Sequence, residues 1–229
     1  IHRRHRPTYG IQPRGLPGVM SGFSPVWLAA REPWDHRARS SDILAALKEW
    51  RGTRPESSSL AVTDLGCGTG STTRYLSEHL AAPLHWKLVD GDANLLRIAA
   101  DELATTSNPA IETTQAELSP EALPTLMQGS DLVTASALLD LVSEAWLKEF
   151  WRAVEIQRTA VLAGLTYDGR LALSPNDPSD GLIRNLVNRH QQTDKGLGPA
   201  LGPHATAALA VRARRAGWRV MIRRSDWKL

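Results

Sequence analysis

Residues 62–76 read VTDLGCGTGSTTRYL, with an acid, three glycines and the start of a helix in close order. Gly66, Gly68 and Gly70 permit backbone angles and close approach that a Cβ would block. The helix that follows offers its first amides to a negative or polar group. A dinucleotide fingerprint spaces its glycines GxGxxG, whereas here the third glycine comes one position early and Ser71 follows it. Asp64, two residues before the first glycine, would repel a pyrophosphate and suits a ligand that carries an ammonium group. Other groups with chemical potential close later apolar runs: Asp90, Asp140, and Tyr167 with Asp168. His190 stands in a polar segment further on.

Such residues need elements to hold them, and the chain supplies strands and helices in turn. Ser40 or Ser41 can cap a helix carrying Ile43, Leu47 and Trp50 at helical spacing. SLAVTDL (59–65) reads as a buried strand, TTRYLSEHL as a helix and LHWKLVD (84–90) as a strand. Residues 94–105 form a helix with Leu95, Ile98, Ala99 and Leu103 on one stripe. AIETTQ is a weaker strand and SDLVTASALL (130–139) a stronger one. SEAWLKEFWRAVEIQ, capped by Ser143, turns Trp146, Leu147, Phe150, Trp151 and Val154 inward. TAVLAGLTY (159–167) is a fifth strand. A helix from Pro203 to Ala216, closed by Gly217, leads to a sixth strand with Trp218, Val220 and Ile222 inward. This alternation predicts an α/β fold: a mostly parallel sheet with right-handed crossovers and helices on both faces. Ligands of such sheets sit outside the carboxyl ends of the strands, where strand order reverses.

Composition narrows the function. The chain has 229 residues, 42% of them hydrophobic, enough for one sizeable core, and one domain is expected over residues 20–229. Residues 1–19 hold Arg3, Arg4, Arg6 and Arg14 and no acid, so the net charge of +3 falls to −1 for the remainder. That basic, Pro- and Gly-rich tail reads as a disordered extension before Met20, a natural start. Cys67 is the only cysteine, which excludes an internal disulfide and a CxxC zinc site, and no metal is expected. No apolar run is long enough for a membrane span and no signal peptide is evident, so a soluble, cytoplasmic protein is expected.

Three segments in order, VTDLGCGTG, WKLVDGDANLL and SDLVTASALLDLVS, are similar to the first, second and fourth motifs of class I methyltransferases, which use S-adenosylmethionine. The resemblance spans roughly residues 60–170 and implies a Rossmann-like sheet with S-adenosylmethionine as cofactor and S-adenosylhomocysteine as product. It implies that the Gly66–Gly70 turn, Cys67 included, passes under the methionine moiety, with Asp64 near its ammonium group directly or through water. Asp90 would accept both ribose hydroxyls. Asp92 is better explained as a helix cap, although it could share the ribose. Glu117 would face the adenine amino group and Ser136 would join the cofactor contacts. REPWDHRARS (31–40) resembles the helix that closes over the cofactor, and Arg31 or Arg39 would meet the methionine carboxylate. Members of the fold normally add a seventh, antiparallel strand. The sequence stops at Leu229, and truncation is one explanation.

The acceptor is read mainly from absences. TASALLD replaces the Asn/Asp-Pro-Pro-aromatic motif of enzymes that methylate amino groups of bases or amides, and no second cysteine could act as a cytosine nucleophile. A core of net charge −1 does not advertise a nucleic-acid groove. A small molecule with an O or N acceptor is expected, and no nucleic-acid or membrane partner. Asp140 could serve as base, hold a cationic acceptor or cap the next helix; Tyr167 and Asp168 point the same way. Residues 174–203 form a helical insertion after the fifth strand that could cover the substrate. There His190 either extends the Leu182 and Leu186 stripe as a buried histidine or acts as a general base. Two alternatives remain: a catalytically silent methyltransferase-like binding protein, and an NAD-type oxidoreductase, disfavoured by the glycine spacing.

Overall fold

The computed structural model describes residues 23–228 apart from 56–57, 81–82 and 105–109, so the expected disordered extension at 1–19 lies outside the described residues. Two helices, α1 (Pro25–Ala38) and α2 (Ser41–Gly52), precede the sheet. Then β1 (Leu60–Leu65), α3 (Ser71–His79), β2 (Leu84–Asp90), α4 (Ala93–Leu103) and β3 (Ala110–Gln115) build the first half. A short α5 (Leu123–Leu126), β4 (Leu132–Ser136), α6 (Glu144–Gln157) and β5 (Ala160–Gly164) build the second, followed by α7 (Asp180–Gln191) and α8 (Ala205–Arg215). All strand pairings are parallel, in the order β3-β2-β1-β4-β5. The order reverses at β1, so the carboxyl ends of β1 and β4 flank the crevice where such sheets bind ligands.

Alternation along the strands divides the core. Leu60, Val62 and Leu132 face a cluster with Leu47, Tyr75, Leu76, Trp86, Leu96, Ala99 and Leu103. Leu65, Val133 and Ala135 face the other, where Trp146 and Phe150 of α6 are fully buried and stacked with ring centroids 5.2 Å apart. Asp64 shares the β1 face of Leu60 and Val62, which turns its carboxylate towards α3. The helix caps are local: the Ser143 hydroxyl accepts from Trp146 N at 3.2 Å, and Asp92 Oδ1 accepts from Asn94 N and Leu95 N.

Three expectations are corrected. Residues 218–228 form no strand. Trp218 meets Trp151 edge-on at 5.3 Å and Val220 packs on the same core, but Ile222 stays 43% exposed. The neighbouring arginines take another course: Arg223 pairs with Asp42 at 2.7 Å and Arg219 approaches Glu49 at 3.9 Å, so the segment runs over α2. Second, α7 buries none of its residues; Leu182 is 62% exposed, Leu186 51%, and His190 is exposed with them, so the buried-histidine reading fails. The apolar stripe stays uncovered: α7 rests mainly on the turn at Gly202–His204 and is tied to the loop after β5 through Asn188. Third, Asp140 does not cap α6, a position that Ser143 already fills. Among the described residues no helix is long and apolar enough to cross a membrane, and no cluster of His, Cys, Asp or Glu could hold a metal.

Candidate cofactor and acceptor site

The glycine turn is fastened to the end of β2. Gly66 N and Cys67 N both donate to Val89 O, at 2.8 and 3.1 Å, and Gly70 N donates to Cys67 O at 2.9 Å. Gly66, Gly68 and Gly70 have φ of +66°, +54° and +82°, the left-handed region that explains glycine at these positions. Asp90 binds the turn to the next loop: its Oδ2 accepts from Gly68 N at 2.9 Å and its Oδ1 from Asp92 N at 3.0 Å. Each carboxylate oxygen keeps a lone pair for a further donor. Cys67 is buried, and burial pushes its thiol well above the usual range.

Asp64 lies beneath this turn rather than at its surface. It is 1% exposed, its Oδ1 accepts from Thr134 Oγ1 at 2.6 Å and its Oδ2 from Thr73 Oγ1 at 3.4 Å. Burial raises its pKa to about 6; the threonine hydroxyls and the Arg39 charge oppose the rise, while Asp90 adds to it. An anchor that ties β1 to β4 and α3 is therefore its observed structural part, and direct contact with an ammonium group is not open to it.

Helix α1 lies over the turn. Leu28 sits above Gly68, where an added Cβ would come 3.4 Å from Leu28 Cδ1. Glu32 accepts from Arg74 Nε at 2.8 Å, and His36 Nε2 stands 3.1 Å from Ser71 O and Oγ. At the end of the helix, Arg39 Nη2 donates to Thr72 Oγ1 at 2.9 Å and Ser136 Oγ at 3.3 Å, with the guanidinium 4.9 Å from the Tyr75 ring centroid. Its Nε is buried without a partner, and burial lowers its pKa. A buried guanidinium held by neutral hydroxyls, with one N–H unsatisfied, suits an anionic oxygen. Arg31 is occupied elsewhere: it forms two bonds to Asp35, at 2.8 and 3.2 Å, and stacks on Trp227.

The donor set fits S-adenosylmethionine: Arg39 for a carboxylate, Asp90 for vicinal hydroxyls, and between them a turn whose three glycines carry no Cβ. Asp92 caps α4 yet adjoins Asp90, and Glu117 is exposed beyond β3.

The ends of β4 and β5 are shaped differently. Ala137 and Leu165, neither of them glycine, take φ of +52° and +55°, and Ala137 N donates to Gly164 O at 2.9 Å. Left-handed backbone at non-glycine residues costs about 1–3 kcal/mol each and clusters at functional sites. Just beyond, Asp140 is 7% exposed and accepts from its own N–H and that of Tyr167, while its Oδ1 is buried without a partner. Burial raises its pKa; those bonds and the Arg31 charge offset this in part. Tyr167 Oη donates to Asn188 Oδ1 at 2.6 Å, and Asn188 Nδ2 donates to Gly169 O at 3.2 Å, which joins the end of β5 to α7. His190 stands apart, exposed, with Nε2 3.1 Å from Lys195 Nζ.

Asp64, Asp90, Asp92, Ser136 and the glycines thus gather at one end of the sheet, and Asp140 and Tyr167 adjoin one another. The sequence reading missed His36, Thr134, Asp35 and Trp227. His36, three residues before Arg39 in the segment resembling a closing helix, could have been found by its place. Trp227, 192 residues from Asp35, left no local signal.

A five-stranded parallel sheet with this glycine turn defines a Rossmann-like class I methyltransferase fold. Residues 62–156 match a family model described as a methyltransferase domain. That match covers a little under half of the chain, and the fold around it is the one that methyltransferases of this class share. It is similar in fold to the methyltransferase domain of bacterial CtHen1, at 18% identity and a TM-score of 0.51, over 84% of this chain and 88% of that one. A cyclopropane synthase from Mycobacterium tuberculosis shares 13% identity at a TM-score of 0.51, over 81% of this chain and 66% of that one. A mycolic acid cyclopropane synthase complexed with S-adenosylhomocysteine shares 13% at 0.50, over 78% of this chain and 61% of that one. The chain thus spans less than two thirds of both cyclopropane synthases. No curated protein matches the sequence.

Proposed function

We propose that the protein transfers a methyl group from S-adenosylmethionine to an oxygen or nitrogen of a small molecule, with Asp140 facing the acceptor. The observation that carries this reading is the buried, unpartnered Oδ1 of Asp140 beside the strained ends of β4 and β5. A buried carboxylate oxygen without a donor is costly unless a ligand supplies one, and a hydroxyl or amine does so. Bound S-adenosylmethionine supplies an electrophilic methyl group on a sulfonium. Arg39 takes the methionine carboxylate, Asp90 the ribose hydroxyls with Asp92 beside it, and Glu117 the adenine edge. Cys67 and the three glycines line the turn, and Ser136 holds Arg39 in place. Asp64 supports the floor through Thr134 and Thr73. Asp140 orients the acceptor and receives its proton at Oδ1, and Tyr167 fixes the Asp140 carboxylate through its backbone N–H. His190, engaged by Lys195, belongs to the rim of the acceptor side.

The test is to incubate the protein with isotopically labelled S-adenosylmethionine and the small-molecule fraction of a cell extract, then locate the label by mass spectrometry. Label on an oxygen or nitrogen of a small molecule is expected. Label only on carbon, or only in added nucleic acid or protein, overturns the reading.

A further inference from the structure

Helix α1 has two working faces. Leu28, Glu32 and His36, four residues apart, meet the cofactor turn at Gly68 and the α3 residues Arg74 and Ser71 that follow it, and Arg39 continues that face. Arg31 and Asp35 project from another side and meet the C-terminal segment. Asp35 is 5% exposed and its carboxylate takes three donors: Arg31 Nε at 2.8 Å, Arg31 Nη2 at 3.2 Å and Trp227 Nε1 at 3.0 Å. The Arg31 guanidinium lies 5.1 Å from the Trp227 ring centroid, so ring, cation and carboxylate close on one another. Upstream, the segment is held to α2 by Arg223 to Asp42 at 2.7 Å and by the longer Arg219 to Glu49 pair at 3.9 Å. As the segment advances through 219, 223 and 227, its partners recede through 49, 42 and 35. A step of four extended residues covers about 13 Å. Seven helical residues rise about 10.5 Å, so from Arg219 to Arg223 the segment runs antiparallel along α2 nearly in register with it, and then crosses to Asp35 on α1. Arg170, just after β5, pairs with Asp168 and reaches Asp226 at 3.3 Å, which ties the segment to the acceptor side as well.

We propose that Trp227 is a positioning residue for cofactor binding: through Asp35 it pins α1 onto the glycine turn, and the cofactor leaves only when this strap lets go. The proposal rests on the assignment of the turn and Arg39 to the cofactor. Trp227 meets Asp35 and Arg31 and acts through α1, the element that carries Leu28 and ends next to Arg39. Loss of its bond leaves the buried Asp35 with Arg31 alone and α1 held only by the contacts of Glu32, His36 and Arg39, so that it lifts more often, whereas the sheet and the turn, fastened by Val89 and Asp90, are untouched.

The experiment measures S-adenosylhomocysteine association and dissociation by stopped flow on the full chain, with amide hydrogen exchange on the same samples. Trp227→Ala is expected to raise the dissociation rate about tenfold and to change association less than twofold, since one lost charge-assisted bond acts on the closed state. Amides of α1 should exchange faster while those of β1 and β4 keep their protection. Trp227→Phe keeps a ring for Arg31 but has no N–H to donate, and should fall between; it carries the test if the alanine variant does not fold. A dissociation rate unchanged in both variants, or loss of protection spread through the sheet, overturns the strap. Absence of S-adenosylhomocysteine binding to the unaltered protein instead overturns the cofactor assignment itself.

Discussion

The cofactor side and the acceptor side of the sheet are built by different means. Around the glycine turn the groups that matter are backbone amides and short side chains, buried and closed on one another: Val89 O takes two amides, Asp90 two more, and Asp64 two hydroxyls. On the other side, α7 has no buried residue, and the loops are tied by long side chains such as Arg170 to Asp168 and Lys195 to His190. Exposed side-chain contacts of that kind contribute little stability and can be exchanged at little cost. A ligand whose chemistry is fixed is met by rigid backbone, and the side that must select an acceptor is assembled from replaceable contacts. Asp140 is the exception, a buried acid on the replaceable side.

That exception gives the prediction of largest effect. Asp140→Asn keeps the shape but cannot accept a proton, and should lower kcat by about 10²–10⁴-fold while S-adenosylhomocysteine affinity stays within twofold. Because burial raises the Asp140 pKa, the acid limb of kcat/KM should lie above the ordinary carboxylate range and disappear in the variant. Unchanged turnover would leave the acceptor side with no buried chemical group and sharpen the contrast between the two sides.

Asp64 tests whether the cofactor floor is as closed as described. Its folded pKa of about 6 exceeds the unfolded value of 3.8, so the folded protein holds the proton more tightly. This group favours folding fully below pH 3.8, and its contribution declines as pH rises through about 6. The difference corresponds to about 3 kcal/mol. Asp64→Asn should remove that decline, leaving the variant relatively more stable at pH 8 than at pH 4 when denaturant midpoints are compared with the unaltered protein. An identical pH profile for both would mean that water reaches the carboxylate.

A smaller loss is expected at Asp90. Asp90→Ala removes the ribose acceptor and frees Gly68 N and Asp92 N, so S-adenosylhomocysteine affinity should fall by about 1.5–3 kcal/mol in a calorimetric titration. Affinity within twofold of the unaltered protein would move the ribose partner elsewhere.

The same contrast decides what the sequence disclosed. The five strands, the turn, the Asp92 and Ser143 caps and Asp90 were legible because each rests on contacts within one strand-turn-helix unit, where periodicity and residue type carry the information. The tail of residues 218–228 was misread because Trp218, Val220 and Ile222 do alternate, yet Arg219 and Arg223 are drawn to acids more than a hundred residues away. No local pattern encodes such a pairing. Arg31 and Arg39 looked equivalent in sequence; only the fold shows that Asp35 and Trp227 occupy the first, while the second keeps a buried Nε–H without a partner.

His190 gives the smallest expected effect and discriminates most finely between the two sides. Its helical spacing after Leu182 and Leu186 promised burial, but a stripe is buried only where another surface meets it, and this one is left exposed. His190→Ala therefore creates no cavity and strands no buried polar atom, and the denaturant midpoint should shift by an amount equivalent to less than about 0.5 kcal/mol. The Lys195 ammonium lies 3.1 Å from Nε2 and donates to the lone pair a base would need. If Lys195 holds that position during turnover, kcat should fall by less than about threefold, far less than for Asp140→Asn. A large loss of kcat with unchanged stability would mean that Lys195 swings away and α7 closes over the acceptor. The proton would then leave through the exposed side, and Asp140 would be left with orientation alone.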